Sequence, residues 1–420
     1  MKEQNETWIY SGRRQAIWVG MSCIGSYCSC YIVKNILSAV MPQMIVENAV
    51  DSVALGTAGS VYLLTYGVGQ FINGQIGNRV DPLYMVLIGL LFPGAMVACF
   101  PFCNSSVTGI LLWGVCGFLC SMLWGPLSRL IGENSEEKYS RLLLSGMTVA
   151  SVFGTLVTYA LAMLASLLND YRIAFFVAGF WVLLTAVFWF FAYRYMKKKG
   201  LIREKTQEGN TVKPDFRSFL SLFLKGEFLC VIAMTMFNGV IRNAVTFWIP
   251  TFMAQYLSIP TEQIAMVSAV LPLINIASTF FSLWALRLTK NNDIKLNAFL
   301  FLFAMLLFWG IWLCSGRFVI LSVIALFLAN AAMTGVCNMI FSVYVLRYKA
   351  DGMISGVTGF LDAVSYLVAA AASLLFTMLQ VRNNWNLIIL TWILFTALGA
   401  IASILACRFR GSSYSKADSR

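Results

Sequence analysis

The sequence contains no histidine. Imidazole acid–base catalysis, histidine metal ligation and histidine proton relays are therefore all excluded, because no other side chain titrates near neutral pH without strong perturbation. Charge is scarce as well: 11% of the 420 residues are charged against 59% hydrophobic, a balance that a water-soluble domain of this length cannot cover with polar surface. The 11 cysteines are scattered through apolar runs, as at Cys99/Cys103 and Cys116/Cys120, without the paired clusters of zinc or redox motifs. They read as small apolar residues. Residues 1–14 lack the apolar core and small-residue cleavage site of a signal peptide, so the first apolar helix is expected to be retained. No nucleophile–base pair, metal-ligand cluster or phosphate-cradling glycine loop is present, so neither an enzyme nor a bound cofactor is expected.

What the chain does have is long apolar runs, at 16–41, 54–77, 83–102, 107–131, 142–168 and 173–195, then at 228–257, 264–286, 296–314, 318–345, 354–380 and 385–407. A helix crosses a hydrocarbon core with about 20 apolar residues, and in lipid only helices or a closed barrel satisfy the backbone. Unbroken runs of this length select helices. The expected fold class is an all-α integral membrane protein of twelve transmembrane helices in two six-helix halves, 1–195 and 227–420. The intervening linker, 196–226, holds Lys197-Lys198-Lys199, Gly209, Asn210 and Pro214 and is too polar for lipid. Its end, 216–223, mixes apolar and basic residues as a surface-lying amphipathic helix does.

The net charge of +12 is distributed by side. With the N-terminus inside, all but five of the 30 basic residues fall on the N-terminal segment and on the loops sharing its side; Arg172, Arg317 and Arg382 lie opposite. Basic residues are retained on the cytoplasmic face, so a multi-pass protein of the cell membrane with both termini cytoplasmic is expected. The excess meets anionic lipid headgroups and requires no nucleic acid. The remaining two bases, Lys34 and Arg242, lie inside helices, as does one acid, Asp362. A charge at bilayer depth costs about 3 kcal/mol or more, so such residues face a polar cavity and mark a transport path.

The two halves repeat. Lys34-Asn35 is followed by Met41-Pro42, and Arg242-Asn243 by Ile249-Pro250; Ser145-Gly146-Met147-Thr148 matches Ser355-Gly356-Val357-Thr358. A parallel two-fold repeat would bring Lys34 and Arg242 to one cavity, where an anion between them relieves their repulsion. Arg supplies a planar fork for carboxylate or phosphate oxygens and Lys a movable point charge. The alternative is that each base is tied to a carbonyl or acid and only holds the bundle together.

Twelve helices, the six-plus-six repeat and the basic linker resemble the major facilitator superfamily. Tyr27, Tyr31, Lys34 and Met41-Pro42, then Tyr66-Gly67, Gln70-Phe71 and the 74–82 loop, resemble helices 1 and 2 of the organophosphate:phosphate antiporters, the glycerol-3-phosphate and hexose-phosphate transporter type. Arg242, Trp248, Pro250-Thr251 and Phe252 resemble that family's helix 7. Trp124, Pro126 and Arg129 on helix 4 and Gly356, Thr358, Gly359 and Phe360 on helix 11 extend the likeness.

The resemblance implies a rocker-switch exchanger gripping an anion with Lys34 and Arg242. Tyr31, Tyr66, Tyr27 and Trp124 would stand beside the substrate, and Asn35 and Asn243 would hydrogen-bond across the halves. Asp362 is expected to serve as salt-bridge partner or as coupling proton site, and Asn78 and Arg79 as gating residues of the helix 2–3 loop. The chain departs from the family by Lys34 for an arginine, Gln70 for a lysine, Ser151 for a histidine, Phe247 for an aspartate, Pro272 for a glutamate and Asn78 for an aspartate. A monoanion such as a sugar acid, another carboxylate or a sulfonate then fits as well as a phosphate ester. The expected partners are this small anion, inorganic phosphate or a proton as coupled species, and membrane lipid, with the chain acting as a monomer. Anion exchange, proton-coupled symport through Asp362 and a sugar-phosphate sensor without flux stand as alternatives in that order.

Overall fold

The computed structural model describes residues 2–46, 52–103, 105–202, 216–259, 267, 270–314, 317–381 and 384–417. Among the described residues there is no strand. The helices are α1 (Lys2–Val46), α2 (Ser52–Gly77), α3 (Pro82–Cys99), α4 (Ser106–Cys120), α5 (Trp124–Asn134), α6 (Glu137–Leu167) and α7 (Tyr171–Lys198). They continue with α8 (Phe216–Ser221), α9 (Gly226–Gln255), α10 (Val270–Leu288), α11 (Asp293–Cys314), α12 (Val319–Ser342), α13 (Ile354–Val381) and α14 (Trp385–Ala417). Over its described residues each of the twelve apolar runs is helical but for a few terminal residues, and the run at 107–131 is divided by a turn into α4 and α5. Among the described residues ten spans have the length and hydropathy of a bilayer crossing, and α9 joins them as part of a bent pair. The helix α2 is long enough but more polar, since it carries threonine, tyrosine, glutamine and asparagine along its length.

Local chemistry sets the helix ends. Asp81 caps α3 by accepting the Leu83 N–H at 2.8 Å, with Pro82 next, where its missing N–H costs nothing. Asp170 caps α7 in the same way. At the far end of α7, Gly200 takes a φ of +66° and lets the Leu201 N–H return to the Met196 carbonyl at 2.9 Å, closing the helix. The short α8 and the turn after it lie at 87° to α9, burying Phe219 and Leu222 while Leu220 and Leu224 stay exposed. Residues 203–215 of the linker, with Gly209, Asn210 and Pro214, lie outside the described residues, as does Arg382.

The chain divides into two compact units, Met1–Phe216 with Val345–Ala363, and Arg217–Tyr344 with Val364–Arg420. A cut at the linker alone would leave 345–363 in the second unit; instead this segment packs in the first. The physical reason is close backbone approach. A Cβ added at Gly359 would fall 2.7 Å from the Gly74 Cα and against the Gln70 carbonyl, so only glycine lets the start of α13 lie on α2.

In lipid the apolar effect does not drive helices together, and packing with interhelical hydrogen bonds takes its place. In the first unit α1 packs on α6, α2 on α4 and α3 on α7. Thr65 donates to the Gly114 carbonyl at 2.7 Å and Asn73 to Ser121 Oγ at 2.7 Å, stitching α2 to α4. In the second unit the repeat-equivalent pair, α10 and α12, is stitched by Asn330 to Asn275 Oδ1 at 2.9 Å and Asn338 to Ser282 Oγ at 3.0 Å. All 11 cysteines are free thiols, with Cys23, Cys30, Cys116, Cys120 and Cys337 buried among these helices.

Candidate functional site

Lys34 is half-buried on α1. Its Nζ lies 5.1 Å from the Tyr31 ring centroid, one turn earlier, and 4.9 Å from that of Tyr66 on α2. Ring faces carry negative charge, so two of them beside a desolvated ammonium hold it at about 2 kcal/mol or less apiece. Tyr31 is seated by α6, where a Cβ at Gly154 would come within 2.8 Å of the Tyr31 Cβ; the missing side chain lets the helices touch there. Helical spacing extends the cage in both directions. Tyr27 lies 5.4 Å from Tyr31 and 4.7 Å from Trp124, at the first turn of α5, and Tyr62 stacks on Tyr66 at 6.1 Å. Four of the expected aromatic residues, Tyr27, Tyr31, Tyr66 and Trp124, are thus brought together with Lys34 in the first unit.

Two polar groups stand one turn from members of the cage. Cys30, one turn before Lys34, lies within electrostatic reach of both Lys34 and Asp362 of α13. Gln70 follows Tyr66 by one turn of α2 and is wholly buried. Neither atom of its amide has a hydrogen-bond partner among the described residues. Nothing in the letter pattern marks this; it emerges only from the burial of α2.

Arg242 is half-buried on α9 of the second unit, with its Nε enclosed. Around it α9 comes close to α13, where a Cβ at Gly239 would lie 2.8 Å from the Ser365 carbonyl. The side chains of Pro42, Phe247, Trp248, Pro250 and Thr251 lie outside the described residues. Phe252 is buried against Tyr256 and Trp385 at 5.0 and 5.4 Å.

Each of the two asparagines has a partner within its own unit. Asn35 donates to Thr155 Oγ1 on α6 at 2.9 Å, and Asn243 donates to the Gly239 carbonyl at 2.7 Å, so each amide donor is engaged within its own unit. A residue adjacent to the base on a helix points about 100° away from it, which turns Asn35 toward α6, while Asn243 bonds back to its own helix.

The loop after α2 is held by Asn78 and by a residue the loop motif does not contain. Asn78 is buried and accepts the Gly356 N–H at 2.8 Å, serving as a neutral cap for the start of α13. Arg79, expected as the latch, is exposed. The end of α2 is gripped by Arg129 of α5, which donates to the Gly77 carbonyl at 2.5 Å and the Val80 carbonyl at 3.0 Å. Its Nε pairs with Glu133 at 3.0 Å. The four-residue spacing of Arg129 and Glu133 is the only sequence signal for this arrangement.

The family profile of the Major Facilitator Superfamily matches residues 23–373. A probable hexose phosphate transport protein of Chlamydia trachomatis is 29% identical over 105 residues, 25% of this chain and 23% of that protein. The membrane sensor protein UhpC of Escherichia coli is 25% identical over 177 residues, 41% of this chain and 38% of that protein. The glycerol-3-phosphate transporter of Haemophilus influenzae is 21% identical over 309 residues, 66% and 64% of the two chains. The matched segments thus cover about a quarter to less than two thirds of these relatives' lengths. Among solved structures, the proton:xylose symporter XylE superposes with a TM-score of 0.72 at 15% identity, covering 95% of this chain and 96% of that one. FucP in the outward conformation gives 0.68 at 13% identity, covering 93% and 99%. At these identities the two structures speak for the fold.

Proposed function

The chain belongs to the major facilitator superfamily of transporters, and on that premise we propose that it moves a small organic anion by alternating access, as an anion exchanger. The observation that carries this reading is the aromatic cage around Lys34 on α1, with a second base, Arg242, at the repeat-equivalent position of α9. The resemblance to organophosphate:phosphate antiporters, and the relatives named as hexose phosphate and glycerol-3-phosphate transporters, support an anionic substrate.

The residues near Lys34 favour a monoanion over a dianionic phosphate ester. Asp362 lies, like Lys34, within electrostatic reach of Cys30, and its carboxylate would offset part of the Lys34 charge. Gln70, one turn from Tyr66, offers a neutral amide with donor and acceptor enclosed, suited to a substrate hydroxyl. A hydroxylated carboxylate such as a sugar acid presents both groups. In this reading both termini are cytoplasmic, the protein works as a monomer, and inorganic phosphate is the counter-anion.

Asp362 also favours a second reading, proton-coupled symport, in which its carboxyl takes up the proton. The relative named as a membrane sensor supports a third, tight binding without flux. Counterflow in proteoliposomes separates them, with labelled gluconate, glucose 6-phosphate and glycerol 3-phosphate as probes. Exchange requires uptake that depends on internal anion; symport requires uptake driven by a pH gradient alone and lost in Asp362→Asn; a sensor binds and gives no flux. Uptake unimpaired in Arg242→Ala would sink the anion-site reading altogether.

A further inference from the structure

The first unit contains a cavity of about 380 Å³ where the loop after α2 meets α3, α5 and the end of α7, and none of the residues around Lys34 lines it. Its wall carries three bases, Arg79, Arg129 and Lys197, against two acids, Asp81 and Glu133. We propose that this cavity binds the phosphate group of an anionic membrane lipid.

The charges are layered. In the floor, Glu133 is paired with Arg129 at 3.0 Å, and Asp81 accepts the Leu83 N–H at 2.8 Å and faces the buried Tyr193 hydroxyl. Arg79 and Lys197 are exposed at the mouth, one on the loop after α2 and one in the last turn of α7. A phosphodiester between them meets a guanidinium fork and an ammonium, which is the chemistry of charge-assisted anion binding.

The surroundings select a lipid over a soluble anion. The cavity opens on the face to which the basic loops assign the cytoplasm, where anionic headgroups concentrate. Just past the mouth α3 exposes Tyr84, Ile88, Leu91 and Phe92, spaced so that they form one apolar stripe down the helix. Nearby, Trp18 and Tyr195 are both exposed with their rings 5.2 Å apart, the amphipathic aromatic type found at headgroup level. A lipid can therefore lodge its phosphate in the cavity and lay its chains on α3. Seated there it bridges the loop to α7, beside Asn78, which caps α13, and Gly77, which Arg129 holds.

The test uses the full chain in nanodiscs of phosphatidylcholine with increasing phosphatidylglycerol of the same acyl chains, following thermal unfolding by intrinsic fluorescence. The unfolding temperature should rise with phosphatidylglycerol. Replacing Arg79→Gln and Lys197→Gln should weaken the apparent affinity, measured against each variant's own unfolding in pure phosphatidylcholine, roughly five-fold per residue and about 25-fold together. Lys198→Gln with Lys199→Gln removes the same charge outside the cavity and should shift it less than about two-fold. If the two double variants weaken binding equally, the effect is general surface attraction and the proposal fails. If inorganic phosphate in phosphatidylcholine nanodiscs gives the same rise, lost in the cavity variant, the ligand is a soluble anion and the proposal is likewise overturned. Should the double glutamine variant not fold, the single variants carry the same comparison.

Discussion

The grip of Arg129 on the end of α2 can be measured by a double-mutant cycle. Its side chain is 6% exposed and that of Glu133 28% exposed. Arg129→Met removes two charge-assisted bonds to carbonyls and leaves Glu133 without its counter-ion. Breaking a buried pair from one side costs about 3–5 kcal/mol. Water reaches more than a quarter of Glu133 and can take over part of its charge, so a loss near the lower end, about 3 kcal/mol, is expected. Glu133→Gln leaves Arg129 its two carbonyl partners at 2.5 and 3.0 Å and keeps an acceptor near Nε, so about 1 kcal/mol is expected. In the double variant no carboxylate is left behind, so its loss should be about 2 kcal/mol, roughly 2 less than the sum of the single losses. The assay is equilibrium unfolding of the purified protein in detergent, read by tryptophan fluorescence. Losses that simply add would show that Glu133 is not coupled to Arg129. An Arg129→Met variant losing under about 1 kcal/mol would refute the reasoning that this guanidinium holds the end of α2.

Further outcomes follow from the same structure. Lys34→Met should lower uptake efficiency in counterflow by roughly 10- to 150-fold, the equivalent of one charge-assisted contact of about 1.5–3 kcal/mol, while Lys34→Arg should stay within about ten-fold of the parent; equal loss in both would point to packing instead of charge. Gln70→Met replaces an enclosed, unpartnered amide with an apolar chain of similar length and should raise stability by about 1–2 kcal/mol in thermal unfolding, while reducing preference for hydroxylated over unsubstituted carboxylates; a drop in stability would mean that the amide is already satisfied. Gly359→Ala drives a methyl against two stretches of backbone, the Gly74 Cα and the Gln70 carbonyl, and should cost about 2–3 kcal/mol, so an unchanged unfolding temperature would refute the close approach. Asn78→Ala strands the Gly356 N–H and should cost about 1–3 kcal/mol, whereas Asn78→Asp keeps the acceptor and adds a charge that the helix start favours by about 0.3–1 kcal/mol. If both variants destabilise alike, the capping role is wrong.

How far the sequence foretold this molecule depended on whether the relevant physics has a letter. A charge in an apolar run is written plainly, and its cost in lipid is large enough that Lys34 and Arg242 stood out from a count of loops. The cage around Lys34 was half legible, because Tyr27 and Tyr31 share a helix face by spacing, but that Tyr66 would supply the second ring needed the packing of α2 against α1. The grip of Arg129 was illegible in kind, since its partners at Gly77 and Val80 are carbonyl oxygens that every residue possesses. The partners that Asn35 and Asn243 have within their own units were illegible for a related reason: an amide takes a near acceptor, here a hydroxyl or a carbonyl. The segment Val345–Ala363 joined the first unit through two glycines, Gly74 and Gly359, hundreds of residues apart. Each glycine alone is ordinary in a membrane helix, and only their coincidence makes a contact. That asymmetry has a functional side: charge and cage at the proposed anion site are set by residue identity, whereas the hold on α2 and α13 is set largely by backbone. Substitutions that retune the substrate can therefore accumulate at Lys34 and Gln70 with little disturbance to what Arg129, Asn78 and the two glycines hold together.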